Sequence, residues 1–478
     1  MLSSIAGDLG SILSEIFLSI VSFLILILDP FLSKEKKRIV PYIALSGLAI
    51  SFFILFFQKK GESFFFEALT LDNFSLFFKS IFLISSVIAI LFSIRFLNDE
   101  KFQLSEYYFF ILLCTVGMMF MASSIDLISI FISYELMAIS SYVLSGYLKK
   151  DLRSNEAGLK YFILGTLSTG IFLFGLSFVF GLSGNTSLKA ISTNLVVLGK
   201  NPYLIFTMLI VSSALFFKIA AVPFHMWTPD VYEGAPTPVT LFISTGPKAA
   251  SFAIFLRIFL EAFSSLSSEW RTLIAWVSFF TMTYGNFAAL TQKSLKRMLA
   301  YSSIAHAGYI LIGFAAGGDF GEPGILFYLL AYLFMNSAAF GLILFLKKGD
   351  KWGEDVDDFN GLAKNSLLFS FAIVIILMSL VGIPPTGGFF GKYFIFSSAI
   401  KEGLVWLAVA GVLNSAISLF YYFRIGQAVF MKEPSEEVKF SPSPSLSIAL
   451  GIAVLAILIL GIFPQPFAVL SKSSTLLP

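Results

Sequence analysis

Four ionisable side chains stand where charge is expensive: Glu135, Lys218, Lys248 and Lys392 each lie inside a long apolar run. A charge at the centre of a membrane-spanning helix costs roughly 2.5–3.5 kcal/mol on insertion scales. Facing lipid, the four together would cost about 10 kcal/mol, so they must face the interior of a helix bundle. Burial lowers the pKa of a lysine and raises that of a glutamate, while an opposite charge nearby does the reverse. A lysine poised between these effects gives up and regains a proton, which is the chemistry of a proton relay. The plainer alternative is a static Glu135–Lys218 ion pair fastening two helices, although buried pairs are poor fasteners.

The surroundings of each lysine sharpen the choice. Lys218 stands five residues before Pro223, Lys248 follows Gly246-Pro247, and Lys392 follows the glycine-rich stretch GIPPTGGFFG. Lys248 either relays protons or braces an irregular turn. His225, seven residues beyond Lys218, either relays or bonds a carbonyl freed by the proline, and His306 is a candidate deep in its own span. Lys160, with Glu156 one turn earlier, is a candidate relay or an ordinary interfacial pair. Lys79 is expected to snorkel to the headgroups. No site is drawn from the tyrosines and phenylalanines, which are expected to pack.

The elements that carry these residues are membrane spans. Of 478 residues 57% are apolar and 13% are charged, about half the charge of a typical soluble protein. Runs of about 20 apolar residues, enough to cross a bilayer core of roughly 30 Å, recur throughout. Fourteen are expected at 11–28, 39–57, 73–97, 104–122, 125–148, 158–181, 202–226, 238–260, 269–290, 295–316, 323–346, 365–400, 403–430 and 445–465. The single cysteine, Cys114, excludes disulfides, thiolate zinc sites and cysteine-ligated clusters. Two histidines are too few for a histidine-rich metal centre, and no phosphate-binding glycine loop is present. No cofactor or metal is therefore expected in this chain. The N-terminus lacks a basic leader, so the first run reads as a retained helix.

Lys and Arg collect on the cytoplasmic side of membrane proteins. Loops from odd to even spans carry Lys34, Lys36, Lys37 and Arg38; Lys149, Lys150 and Arg153; Lys293, Lys296 and Arg297; and Lys347, Lys348 and Lys351. The other loops carry fewer: Lys59, Lys60, Lys189, Lys200, Arg271 and Lys401. Both termini are therefore expected on the outer side.

The sequence also partly repeats. Ser140-Ser141 with Gly146-Tyr147 returns as Ser302-Ser303 with Gly308-Tyr309, a shift of 162 that also carries Pro223 onto Pro385. Arg257-Ile258 returns as Arg424-Ile425 at a shift of 167. The offset is five spans, an odd number, so the copies face opposite ways, and proline-broken helices at matching positions point to midplane transport sites. At a shift of 162 the counterpart of Glu135 is Arg297. The expected fold is an all-α integral membrane protein of about 14 transmembrane helices, with two inverted five-helix repeats (helices 4–8 and 9–13) and helices 7 and 12 broken. Its units would be 1–103, three N-terminal helices; 104–260 and 269–430, the repeats; and 431–478, the last helix.

The stretch from Lys218 through VPFHMWTPDVYEGAPTPV to GPKAA resembles the signature of the antiporter-like, proton-pumping membrane subunits of respiratory complex I. SNEAGLKYFILG, DVYEGAPTPVT and GIPPTGGFFGKYF resemble its N-type branch, and the likeness runs over nearly the whole chain. The resemblance implies that Glu135 partners Lys218, that Lys248 lies on a central hydrophilic axis, and that Lys392 lies nearest the outer exit. His225 and Lys160 fall at polar positions of less settled importance. It also implies flavin, iron–sulfur clusters and quinone on other subunits, K-type and M-type membrane neighbours, no nucleic acid, and an energy-transducing bilayer such as a bacterial inner membrane. A multisubunit cation/proton antiporter or membrane-bound hydrogenase would share the fold. A solute transporter, a different class, would need side chains placed to clasp a solute.

Overall fold

The computed structural model describes residues 8–33, 36–58, 60–100, 105–199, 201–349, 351–434 and 438–476. Lys34, Lys59 and Lys200, and the unit edges at 1, 103, 104 and 478, lie outside them. Thirteen helices among the described residues are long and apolar enough to cross a membrane. The remaining crossing is span twelve, built from two short helices, Leu367–Val381 and Gly387–Lys401. Span six is longer than expected, Leu152–Ser183, because Asp151 caps it from outside and left-handed Gly184 ends it.

Span seven does not run to residue 226. Its helix Pro202–Ile219 stops at Ala220, held in the left-handed region at φ 62°, and the chain resumes as Trp227–Gly234. Span twelve stops in the same way at Gly382, φ 91°. Both breaks contain a cis X-Pro bond, Val222-Pro223 and Pro384-Pro385. Proline inside a helix lacks a donor and crowds the preceding turn, and Pro223 and Pro385 do mark the two breaks.

Spans eight, ten and eleven form the interior. Every residue of span eight, Thr237–Arg257, is buried, as expected of a helix apolar all round. Pro247 lies inside this helix without ending it. Two short helices, Leu188–Leu198 and Pro464–Ser473, and small strands at Gly61–Phe64, Leu69–Leu71, Leu346–Lys348, Lys351–Trp352 and Val438–Phe440 lie outside the spans. Hydropathy carried no signal for them.

Backbone pairings recur along the chain at a shift of 168. Leu127 N donates to Thr186 O and Leu188 N to Ile125 O; Leu295 N donates to Glu354 O and Val356 N to Lys293 O. Gly117 lies against the Met137 backbone, where a Cβ would come within 2.7 Å of its nitrogen, and Gly285 lies against Ala305 in the same way, at 2.6 Å. The register between spans five and ten is therefore 168, and the shift of 162 holds only at the breaks, Ala220 with Gly382. This corrects the counterpart of Glu135 from Arg297 to Ser303. The dipeptide match at 162 in spans five and ten is a coincidence. The segment between the bridge and the break is shorter in the second copy, where the short helices Val356–Phe359 and Leu362–Asn365 stand in the place of helix Leu188–Leu198.

Candidate functional site

Lys218 is the next-to-last residue of its half-helix and is buried. Its Nζ donates to the Tyr142 hydroxyl at 3.2 Å. It also lies 4.8 Å from the centroid of the Tyr142 ring, 5.0 Å from Tyr134 and 5.3 Å from Tyr161. Desolvated cation–π contacts are worth about 2 kcal/mol, so two of the three offset the roughly 2.5–3.5 kcal/mol cost of the charge. No ion pair joins Lys218 to Glu135 among the described residues, and Glu135 Oε1 is buried without a hydrogen-bond partner. The expectation of a paired Glu135–Lys218 is thereby corrected. A tyrosine cage surrounds the ammonium instead.

The other two lysines and His306 lie along one connected line. Lys248 Nζ donates to Ser303 Oγ at 2.6 Å and to Ser303 O at 2.9 Å, reaching across to span ten rather than bracing its own turn. The Tyr332 hydroxyl bonds the same Ser303 Oγ at 2.8 Å. One turn further, His306 Nδ1 is 2.6 Å from the Tyr328 hydroxyl, and Nε2 is 3.4 Å from the Tyr422 hydroxyl, which also bonds Ser302 Oγ. The His306 ring packs on Tyr309 at 5.7 Å, and the other end of this contact is Lys392, whose Nζ stands 4.5 Å over the Tyr309 ring. Lys392 also donates to Ser415 Oγ at 2.8 Å and to the carbonyls of Val381 and Leu380 at 2.7 and 3.1 Å. Those carbonyls are freed by the break at Gly382, so the ammonium also caps the half-helix, as a cation at a C-terminus should.

A vestibule of about 450 Å³ opens on the face that carries the basic loops, lined by Lys150, Asp151, Arg153, Glu233, Lys296 and Glu354 among others. Thr237 lies in its wall. From there Thr237, Thr240, Ser244 and Lys248 follow one another three or four residues apart, which puts them on one face of span eight. Ser244 Oγ accepts from Asn336 Nδ2 at 2.7 Å, and Asn336 Oδ1 and Ser337 Oγ are buried without a hydrogen-bond partner. Beside the vestibule Asp230 receives Lys160 at 2.7 Å and Arg297 at 2.9 Å, Arg297 reaches Glu233 at 2.8 Å, and Lys160 reaches Glu156 at 2.7 Å. Burial pushes the Asp230 carboxyl up, but hydrogen bonds from Lys160 and Arg297 outweigh it and hold the group below the usual carboxylate range.

The remaining sequence candidates fall elsewhere. Lys160 belongs to this surface network, not to the lysine line. His225 packs on Tyr284 of span nine at 4.4 Å, and its Nδ1 has no partner. Lys79 does not snorkel: it is buried and paired with Glu15 of span one at 2.6 Å. Glu15 escaped the sequence reading, and Arg257 entered it only through the repeat, not as the buried guanidinium that meets Asp72 and Glu261. The tyrosines that touch each charge were read as packing. Their signal was the pairing of Tyr328 with Tyr332 one turn apart and Tyr134 with Tyr142 two turns apart. Among the described residues no group of three or more His, Cys, Asp or Glu is placed to hold a metal.

Residues 124–418 match the model of the family described as NADH:quinone oxidoreductase/Mrp antiporter, transmembrane. The chain belongs to that family of antiporter-like membrane subunits. Within it, the chain is 44% identical to NADH-quinone oxidoreductase subunit N of Trichlorobacter lovleyi over 96% of its own length and 95% of that protein. It is 43% identical to NADH-quinone oxidoreductase subunit N 2 of Rhizobium meliloti over 84% of each. It superposes on a chain of respiratory complex I from Thermus thermophilus with bound aureothin at a TM-score of 0.82 and 30% identity, covering 96% of this chain and 99% of that one. A chain of the Mrp complex from Dietzia sp. DQ12-45-1b shares the fold at a TM-score of 0.84 and 21% identity, over 98% and 97%.

Proposed function

We propose that this chain is a proton-translocating membrane subunit of an NADH–quinone oxidoreductase, seated among other membrane subunits of that complex in an energy-transducing membrane. Its residues move protons and its partners carry out the redox chemistry, with flavin, iron–sulfur clusters and quinone held outside this chain. The observation that carries the reading is the unbroken run of buried contacts from Lys248 through Ser303, Tyr332 and His306 to Tyr309 and Lys392. A buried line of ionisable groups inside a bundle marks an ion path.

Protons enter from the vestibule, follow the Thr237–Thr240–Ser244 face to Lys248, and pass along the line towards Lys392. Lys218 and Glu135 sit beside that route as a charge-sensitive pair. Bringing the carboxylate closer favours the ammonium, and drawing it away disfavours it. Buried polar atoms lacking a protein partner, such as Asn336 Oδ1, Ser337 Oγ and Glu135 Oε1, are where bridging waters complete the path. In this reading the basic-loop face is cytoplasmic, both termini lie outside, and the two repeats span 104–260 and 269–430. The recurrence at a shift of 168 supports the repeats.

The experiment is quinone-dependent proton pumping in membranes carrying Lys218→Ala, with assembly checked on native gels. Assembled complex with sharply reduced pumping supports the relay. Full pumping from a fully assembled complex would make Lys218 structural and strengthen the cation/proton antiporter alternative, with sodium-dependent transport as its own signature.

A further inference from the structure

Away from the lysine line, a groove of about 710 Å³ runs between the N-terminal helices, span eleven, span fourteen and the short helix Pro464–Ser473. That volume falls in the range of small-molecule pockets. Its walls are apolar, including Leu55, Phe56, Phe77, Ile84, Phe334 and Ile459. Its polar lining is concentrated at one end, where Gln58, Lys60, Asn73, Ser473 and Ser474 meet. These residues end span two, begin span three and end the C-terminal helix, so this end lies at a membrane–water boundary. Lys60 Nζ is steered there by Asn73 Oδ1 at 2.7 Å, and Asn73 Nδ2 in turn holds Ser473 O at 2.9 Å. Among the described residues the lining contains one cation and no carboxylate.

The depth discriminates between occupants. Along span three the groove extends from Asn73 to Ile84, and eleven residues of helix rise about 16 Å. That is roughly half of a 30 Å hydrocarbon core, the reach of one leaflet. A helix from a neighbouring subunit needs a slot about 10 Å wide running through both leaflets. A neutral amphiphile has no use for the lysine. We propose that the groove holds an acyl chain of one anionic phospholipid, with its phosphate at Lys60 and the helix Pro464–Ser473 lying along the interface as one wall. The site is independent of the proton path, and its failure would leave the proposed function untouched.

The test uses the whole complex, delipidated and returned to nanodiscs of phosphatidylcholine with a fixed minor fraction of phosphatidylglycerol, and counts retained lipid by native mass spectrometry. The expected result is one phosphatidylglycerol held above the phosphatidylcholine background. Lys60→Gln should weaken retention about fivefold, the share of one lysine near an anionic surface. Ser80→Phe, which fills the groove from span three, should abolish it. NADH–quinone electron transfer measured alongside shows that each variant complex is assembled, and surface-exposed Lys60 keeps the test valid if Ser80→Phe fails to assemble. The proposal is overturned if wild type holds no phosphatidylglycerol above background, or if Lys60→Gln retains it unchanged. It is also overturned if a photoreactive residue at Ile84 crosslinks to a protein subunit instead of lipid.

Discussion

Arg257 and Arg424 make one contact twice: Arg257 Nε donates to Ala122 O at 2.8 Å, and Arg424 Nη1 donates to Leu290 O at 2.9 Å. Each arginine near the end of its span grips a carbonyl at the end of a helix four spans earlier. The donors are 167 residues apart and the acceptors 168. Because five crossings separate the copies, the two grips fall on opposite faces of the membrane. A cation at a helix C-terminus is favoured by the exposed carbonyls there, which is why the contact closes each repeat.

The two grips differ in what else they hold. Arg257 is buried against Asp72 and Glu261, whereas Arg424 meets backbone carbonyls of Leu290 and Gln292. Arg257→Leu should cost more, by stranding two partly exposed carboxylates as well as a carbonyl, than Arg424→Leu, which strands carbonyls at about 1–3 kcal/mol. Thermal melts of the assembled complex should rank them in that order, and the reverse ranking would contradict the argument.

The Glu15–Lys79 pair is sealed from solvent and joined at 2.6 Å. Glu15→Gln alone leaves a buried ammonium, so it should lower assembly severely. The double variant Glu15→Leu with Lys79→Met should recover most of the loss, since an apolar replacement of a buried pair is often neutral or better. Quantifying assembled complex in the single and double variants checks this. No recovery would mean that the pair does more than fasten spans one and three.

The cage around Lys218 makes the ring of Tyr142 and its hydroxyl separable. Tyr142→Phe keeps the cation–π contact and loses one hydrogen bond, a change of about 1 kcal/mol. Tyr142→Leu loses both, about 2 kcal/mol or more. Proton pumping at fixed electron flux should fall modestly in the first and several-fold further in the second. Equal effects would assign the role to the hydroxyl.

His306 bridges the tyrosines between Lys248 and Lys392. His306→Phe keeps the ring and removes both nitrogens, so the protons moved per electron should fall by this subunit's share while assembly persists. Tyr328→Phe removes one of the two nitrogen partners and should give an intermediate loss. An unchanged ratio in His306→Phe would mean that protons bypass the histidine.

Asp230 offers a pH test outside the spans. Its carboxyl is held below the usual range, so the unfolded state binds its proton first and the stabilisation is present above the ordinary value of 3.8. The gap in melting temperature between wild type and Asp230→Asn should stay flat from pH 8 to about pH 5 and narrow as pH falls towards and below about 4. Narrowing already between pH 8 and 6 would point to a different group.

Hydropathy and residue type were enough to reveal the membrane class, the fourteen crossings, the two breaks and the three central lysines. Those properties are local: a bilayer demands runs of a certain length, proline weakens a helix where it falls, and a charge in such a run must turn inward. Which partner each charge meets is not local. Tyr142, Ser303 and Tyr309 reach Lys218, Lys248 and Lys392 from helices tens of residues away in sequence, and helix rotation and crossing decide the contact. The same cause moved Lys79 from the lipid headgroups to Glu15, separated Glu135 from direct contact with Lys218, and moved the counterpart of Glu135 from Arg297 to Ser303. Residue type alone set which side chains had to be buried. Only the packing of distant helices decided what they are buried against.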